Sequence, residues 1–243
     1  EIRTVSNAGG QDLREALNTF AEAAESADMA ILYYAGHGKG DRAGNAYLLP
    51  SDIRWDSEAA LSMNAVSVLS IAHMLDSRRA NSIRVLLIDA CRDLANARGD
   101  AFRILDQDLP DGVIVQTASA PGTLAQEGPE RGNSPYALAL AAVLDQAREG
   151  RMDIRQALGK VSETTKGDQV PHVSGKLSIE GIVTFRGEII LTPTAEPTPM
   201  ADANLESKDD GYFEALASVN TVSAFEMYIA KYGSKGRHYA EAV

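Results

Sequence analysis

Among residues able to attack a carbonyl carbon, cysteine occurs once in the 243-residue chain, at Cys91, alongside four histidines. A thiol is a weak nucleophile until it is deprotonated, and an imidazole with an unperturbed pKa near ~6.5 can take that proton and later return it to a leaving group. Cys91 stands in Asp89-Ala90-Cys91-Arg92-Asp93, directly after the apolar run 83–88 (IRVLLI), and His37 stands in Ala35-Gly36-His37-Gly38, directly after 29–34 (MAILYY). Continuous runs of this kind read as strands buried on both faces of a parallel sheet. Ligands of such sheets bind in the crevice at the carboxyl ends of the strands, so His37 and Cys91 are both expected on that rim. The glycines beside His37 permit close substrate approach, and the N–H groups of Gly38 and Cys91 are candidates for an oxyanion hole. A lone cysteine is more often a small core residue, and a lone histidine a structural one. The same placement of both motifs in a chain with one cysteine favours a Cys–His dyad. His73, His172 and His238 have no such constellation and read as structural or surface residues.

The neighbouring acid bears on specificity. If the strand stays extended to Cys91, Asp89 and Cys91 lie on the same side of it. A carboxylate there attracts an Arg or Lys side chain ahead of the scissile bond and repels Asp; the other reading is that Asp89 caps a neighbouring loop. The polar stretch 94–112 carries Arg98 and Arg103, candidate autoprocessing positions if cleavage follows basic residues. Asp106, Asp108 and Asp111 hint at calcium, but their spacing does not match an EF-hand loop, so no metal ligand is assigned and no cofactor is required.

The elements expected to position these residues alternate strand and helix, the pattern of an α/β domain. Strands are expected at 2–5, 29–34, 47–50, 83–88, 113–117 and 179–185. Helices are expected at 11–26, 66–76, 136–146 and 154–163. In the first, Leu13, Ala16, Leu17, Phe20 and Ala24 share one face. Residues 191–199 hold three prolines in nine and read as a stiff linker. Beyond it, 210–217 and 222–231 have the apolar spacing of a helical hairpin. The organisation is therefore a domain at 1–187, a Pro-rich linker at 188–209 and a helical hairpin at 210–243.

Composition narrows the partners. With 23 Lys+Arg against 34 Asp+Glu the formal charge is −11, the wrong sign for a nucleic-acid-binding surface and compatible with basic peptides. No stretch approaches the ~20 apolar residues of a membrane helix, and no basic-plus-apolar leader opens the sequence, so neither a membrane span nor an intact secretory signal is expected.

The segments Tyr33-Tyr34-Ala35-Gly36-His37-Gly38, Tyr47-Leu48-Leu49-Pro50 and Leu87-Ile88-Asp89-Ala90-Cys91-Arg92 resemble the core of caspase-like cysteine peptidases, most closely the bacterial metacaspase-like (orthocaspase) branch. Thr117-Ala118-Ser119-Ala120-Pro121-Gly122, Asn133-Ser134-Pro135-Tyr136 and Gln169-Val170-Pro171 resemble that branch too. The resemblance implies a three-layer α/β fold with a mainly parallel central sheet, Cys91 as nucleophile, His37 as general base, and cleavage after Arg or Lys. It leaves the cytoplasm and the periplasm both open as compartments. Eukaryotic caspases instead select aspartate through arginines, which Arg92 keeps in play. Ala35 stands where metacaspases often carry a pocket serine. Ser119 and Glu127 complete the substrate-binding candidates, Glu127 as a substitute for a second pocket acid. Family members normally begin with a strand and helix ahead of the strand expected at 2–5; these are expected to be missing, either removed or supplied by a partner chain. A non-catalytic caspase-like interaction module is the alternative to a peptidase.

Overall fold

The computed structural model describes residues 1–54, 57–76, 81–92, 103–120, 123, 125, 132–149, 152–165, 169–179, 181–185 and 188–190, apart from the side chains of Cys91, Arg92 and Glu149. The expected linker and hairpin lie almost wholly outside these residues; only 188–190 are described, with Ile189–Ile190 a short strand.

Helix α1 (Gly10–Glu25) leads into strand β1 (Met29–Gly40), which turns into β2 (Ala46–Leu48). Helix α2 (Glu58–Asn64), β3 (Val66–Ser67) and α3 (Val68–Met74) follow, and the chain then crosses to β4 (Ile83–Arg92). Next come β5 (Val113–Thr117), α4 (Pro135–Glu149), α5 (Ile154–Thr164) and β6 (His172–Gly175). The main sheet has the order β3-β2-β1-β4-β5-β6. Its centre, β1-β4-β5, is parallel, and its short outer strands are antiparallel.

Alternation along the central strands sends side chains into two cores. Leu86, Ile88 and Ala90 of β4 pack with Leu17 and Ala24 of α1 and with Val68, Ile71 and Ala72 of α3. Ile83, Val85 and Leu87 pack on the opposite face, with Tyr136, Leu140 and Val143 of α4 and Ile154, Leu158 and Val161 of α5. The result is a three-layer α/β architecture, as expected.

Polar groups fasten the layers. Arg84, 1% exposed, reaches through the α1 core and donates to the carbonyls of Ala24 and Ala27 at the end of α1. Arg14 of α1 donates to the carbonyls of Met63 and Asn64 at the end of α2. Asp52 accepts from the Gly10 N–H at the start of α1, and a Cβ at Gly9 would sit 2.8 Å from that carboxylate. On the other face, Tyr136 donates to Gln116 Oε1, and Gln116 Nε2 donates to the Leu158 carbonyl, tying α4, β5 and α5 together.

Several expectations need correction. Residues 2–5 form no strand: Ile2 is 94% exposed and no described strand pairs with it, and an apolar run becomes a strand only beside a neighbour. The run 29–34 is not buried on both faces, because Ile31 and Tyr33 face the α4/α5 side of the sheet, where no described helix covers them. Strand β4, in contrast, is buried from Ile83 to Ala90. The strand expected at 179–185 shrinks to β7 (Ile182–Val183), which pairs with β8 (Ile189–Ile190) in a separate two-stranded sheet, and β6 closes the main sheet instead. Helix α2 had no counterpart in the sequence reading.

Asp153 caps α5 and supplies a pH-dependent contribution. Its carboxylate accepts from the Arg155 N–H, the Arg155 guanidinium and the Val183 N–H. Burial alone would raise its pKa, but the bonds from Arg155 and Val183 outweigh burial and hold it at about 2. A depressed carboxylate stabilises the fold above its unfolded pKa and loses that contribution as pH falls through the folded value. Asp153→Ala is therefore expected to lower stability by about 2 kcal/mol at pH 7 in urea titrations, with the difference from wild type shrinking between about pH 4 and pH 2.

Candidate active site

The site is built on the ladder between β1 and β4. Ten consecutive parallel pairs run from Met29 opposite Ile83 to Gly38 opposite Arg92, and within them Ala35 faces Asp89 and His37 faces Cys91. Adjacent strands lie about 4.8 Å apart, so this register makes His37 and Cys91 immediate backbone neighbours. The strands do not end before the two motifs, as the apolar runs had suggested, but continue through them to Gly40 and Arg92. Extension through Arg92 gives Asp89 and Cys91 positions of the same parity on β4. His37 and Ala35 are exposed, whereas Gly38 is buried between β2 and β4.

The two tyrosines of β1 serve opposite faces. The Tyr34 hydroxyl folds back along its own strand and shares its proton between the carbonyls of His37 (2.9 Å) and Leu49 (3.0 Å). Burial pushes this phenol up to about 12 despite the hydrogen bond with Leu49. The His37 carbonyl also accepts from the Leu49 N–H, so the backbone at the histidine is held from two directions. Gly36 makes the arrangement feasible: a Cβ there would lie 2.7 Å from Tyr34 Oη and 2.9 Å from Cζ.

Tyr33 points to the face of Asp89. Its hydroxyl donates to Asp89 Oδ2 at 3.0 Å, and the Ser134 hydroxyl donates to the same oxygen at 2.5 Å. Ser134 also accepts from the Ala137 N–H at 2.9 Å, so it caps α4 while it holds the carboxylate. Burial, the Asp89 charge and the hydrogen bond to Asp89 all raise the Tyr33 pKa, so the phenol stays protonated and remains a donor. Burial and the charge of Asp89 raise Tyr136 as well. Asp89 itself is 7% exposed. It does not simply cap a loop; it accepts from the residue that caps a helix.

The remaining candidates are dispersed. Ser119 is buried after β5, with its hydroxyl donating to the Thr123 carbonyl and its own carbonyl accepting from Thr117. Arg103 is exposed and its N–H donates to the Gly44 carbonyl. Glu127 and Arg98 lie outside the described residues. Asp106 and Asp111 accept from the N–H groups of Gly175 and Ser178, and among the described residues no group of three or more His, Cys, Asp or Glu side chains could hold a metal. No helix among the described residues is long and apolar enough to cross a membrane.

The sequence reading missed Tyr33 and Ser134 as partners of Asp89. Two signals were present: Tyr33 and Asp89 have matching parity on adjacent strands, and Ser134-Pro135 has the form of a helix N-cap followed by a first-turn proline.

Compared with known families, residues 1–179 match the caspase domain. No curated protein matches the chain.

The fit of Gly36 under Tyr34 is testable by coupling. Tyr34→Phe is expected to cost about 1–2 kcal/mol by leaving two carbonyls short of a donor. Gly36→Ala should cost about 1–3 kcal/mol through the clash. Because the hydroxyl is the nearest clashing atom, the double variant should cost less than the sum of the singles in denaturant titrations.

Proposed function

The chain belongs to the caspase domain family, and on that premise we propose that it is a cysteine endopeptidase of the bacterial metacaspase-like branch, cutting after Arg or Lys through Cys91 and His37. The observation that carries this reading is the β1–β4 register, which pairs His37 with Cys91 and Ala35 with Asp89.

In the proposed reaction the Cys91 thiol gives its proton to His37, and the thiolate attacks the scissile carbonyl carbon. The N–H groups of Gly38 and Cys91 are assigned to the oxyanion that forms. His37 then protonates the departing amine as the C–N bond breaks, leaving a thioester. Water attacks the thioester with His37 as base, and the acid product and the thiol are released. Asp89 selects a cation at the residue before the cut. Its low exposure supports this role, because a carboxylate screened from water interacts more strongly with a charge brought against it. Arg98 and Arg103 are the proposed autoprocessing positions. Residues Met29–His37 of β1 pair with β4 on one side only among the described residues, which supports completion of that edge by a strand from a partner chain.

Fluorophore release from Arg-, Lys- and Asp-terminated peptides tests the proposal. Arg and Lys peptides should be cleaved, with Cys91→Ala losing at least about 10³-fold in rate and Asp89→Ala losing about 10²-fold in kcat/KM for the basic peptides. Iodoacetamide should alkylate Cys91 at neutral pH faster than a free thiol. An unreactive thiol and no cleavage of any peptide by the folded protein would identify a non-catalytic interaction module instead.

A further inference from the structure

We infer that Tyr33 and Ser134 are positioning residues for the specificity carboxylate: both hydroxyls converge on Oδ2 of Asp89, which leaves Oδ1 as the oxygen that receives the substrate cation. The inference rests on the proposed role of Asp89 and deepens it.

Four observations combine. The two donors sit on different layers, Tyr33 on β1 and Ser134 at the start of α4, and they meet at one oxygen at 3.0 and 2.5 Å. A carboxylate oxygen holding two hydroxyl donors has little capacity left, whereas among the described residues no hydrogen bond reaches Oδ1. Neither donor carries a positive charge, so Asp89 is fixed in orientation without being neutralised, and a guanidinium or ammonium retains its full attraction. Ala35, the ladder partner of Asp89, has no hydroxyl to compete for that oxygen.

The anchoring also constrains geometry. Ser134 is itself held by the Ala137 N–H, and the next turn of α4 is pinned through Tyr136 to Gln116. The carboxylate therefore cannot rotate about its terminal bond without breaking contacts to two layers. A carboxylate presented through one oxygen selects for charge more than for the bidentate shape of a guanidinium, so arginine and lysine both fit and a neutral isostere of arginine does not.

The test compares kcat/KM for matched peptides ending in arginine and in citrulline, the uncharged isostere. Wild type should prefer arginine by at least about 10²-fold. Tyr33→Phe, which leaves the cap of α4 untouched, and Ser134→Ala should each shrink that ratio by about 3- to 10-fold, through KM for the arginine peptide rather than through kcat. Ser134→Thr keeps the hydroxyl and should retain the wild-type ratio. If Tyr33→Phe and Ser134→Ala, shown folded by circular dichroism, keep the wild-type ratio or lower both peptides equally, the positioning role is wrong. If Asp89→Asn keeps the wild-type ratio, the assignment of Asp89 to the pocket fails instead, and the positioning role goes with it. A wild-type protein that cleaves neither peptide overturns both readings.

Discussion

The register of β4 against β1 is the constraint on which the site depends. Side chains alternate with a period of two, so a slip of one residue would exchange the two faces of β4. Asp89 would move into the layer of α1 and α3, where Leu86, Ile88 and Ala90 now pack, and His37 would no longer sit opposite Cys91. Burial opposes such a slip. Leu86 is 0% exposed and Val85 likewise, on opposite faces, and exchanging them would force side chains of the wrong shape into two filled cores, at about 1–3 kcal/mol each. The energy that fixes the register is thus that of apolar packing and lies several residues upstream of the proposed reacting groups.

That ladder alone does not settle how a buried carboxylate survives on β4. A charge withdrawn from water is tolerated only when hydrogen bonds replace its hydration. Here the replacement comes from two elements: Tyr33 from the neighbouring strand and Ser134 from the start of α4. The position of Ser134 is in turn set by Tyr136, fully buried and bonded to Gln116 of β5. The start of a 15-residue helix also brings the positive end of its dipole toward the carboxylate. Tyr33 and Ser134 belong to different elements, so their proposed roles can be separated by single substitutions.

Much of this was legible in the residues. The runs 83–88 and 113–117 announced β4 and β5 because each is mostly apolar and rich in branched residues, despite Arg84 in the first and Gln116 in the second, and ends at a turn or a motif. Periodicity placed α1 and α5 to within a residue, since their buried positions recur at three and four. What the sequence could not convey was where extension stops. The apolar run ends at Tyr34, yet the glycine-rich backbone beyond it stays in the sheet, Ala35–Gly38 paired with β4 and Gly38–Gly40 with β2, and pairing is a property of neighbours that a single strand does not encode. Burial of 29–34 was misjudged for a related reason: an apolar run reports what a strand tolerates, and the described helices do not reach Ile31 or Tyr33. The parity of Asp89 with Cys91 was legible in the sequence, whereas Ser134, 45 residues from Asp89, could not be joined to it without the sheet.

The adjacent pair Tyr33-Tyr34 shows how one short stretch of strand serves two needs. Successive side chains leave a strand on opposite faces, so neighbouring tyrosines cannot share a task. Tyr34 turns inward, packs against the α1 core and bonds the carbonyl of His37, fixing backbone at the proposed base. Tyr33 turns to the other face and bonds the proposed specificity acid. Both phenols are raised well above their usual pKa, so each remains a hydrogen donor across the range in which a thiol and an imidazole titrate. Phenylalanine at either position would preserve the strand and its packing while withdrawing one donor. The hydroxyls, and not the rings, therefore distinguish a strand that merely folds from one that presents a histidine and a carboxylate in fixed relation.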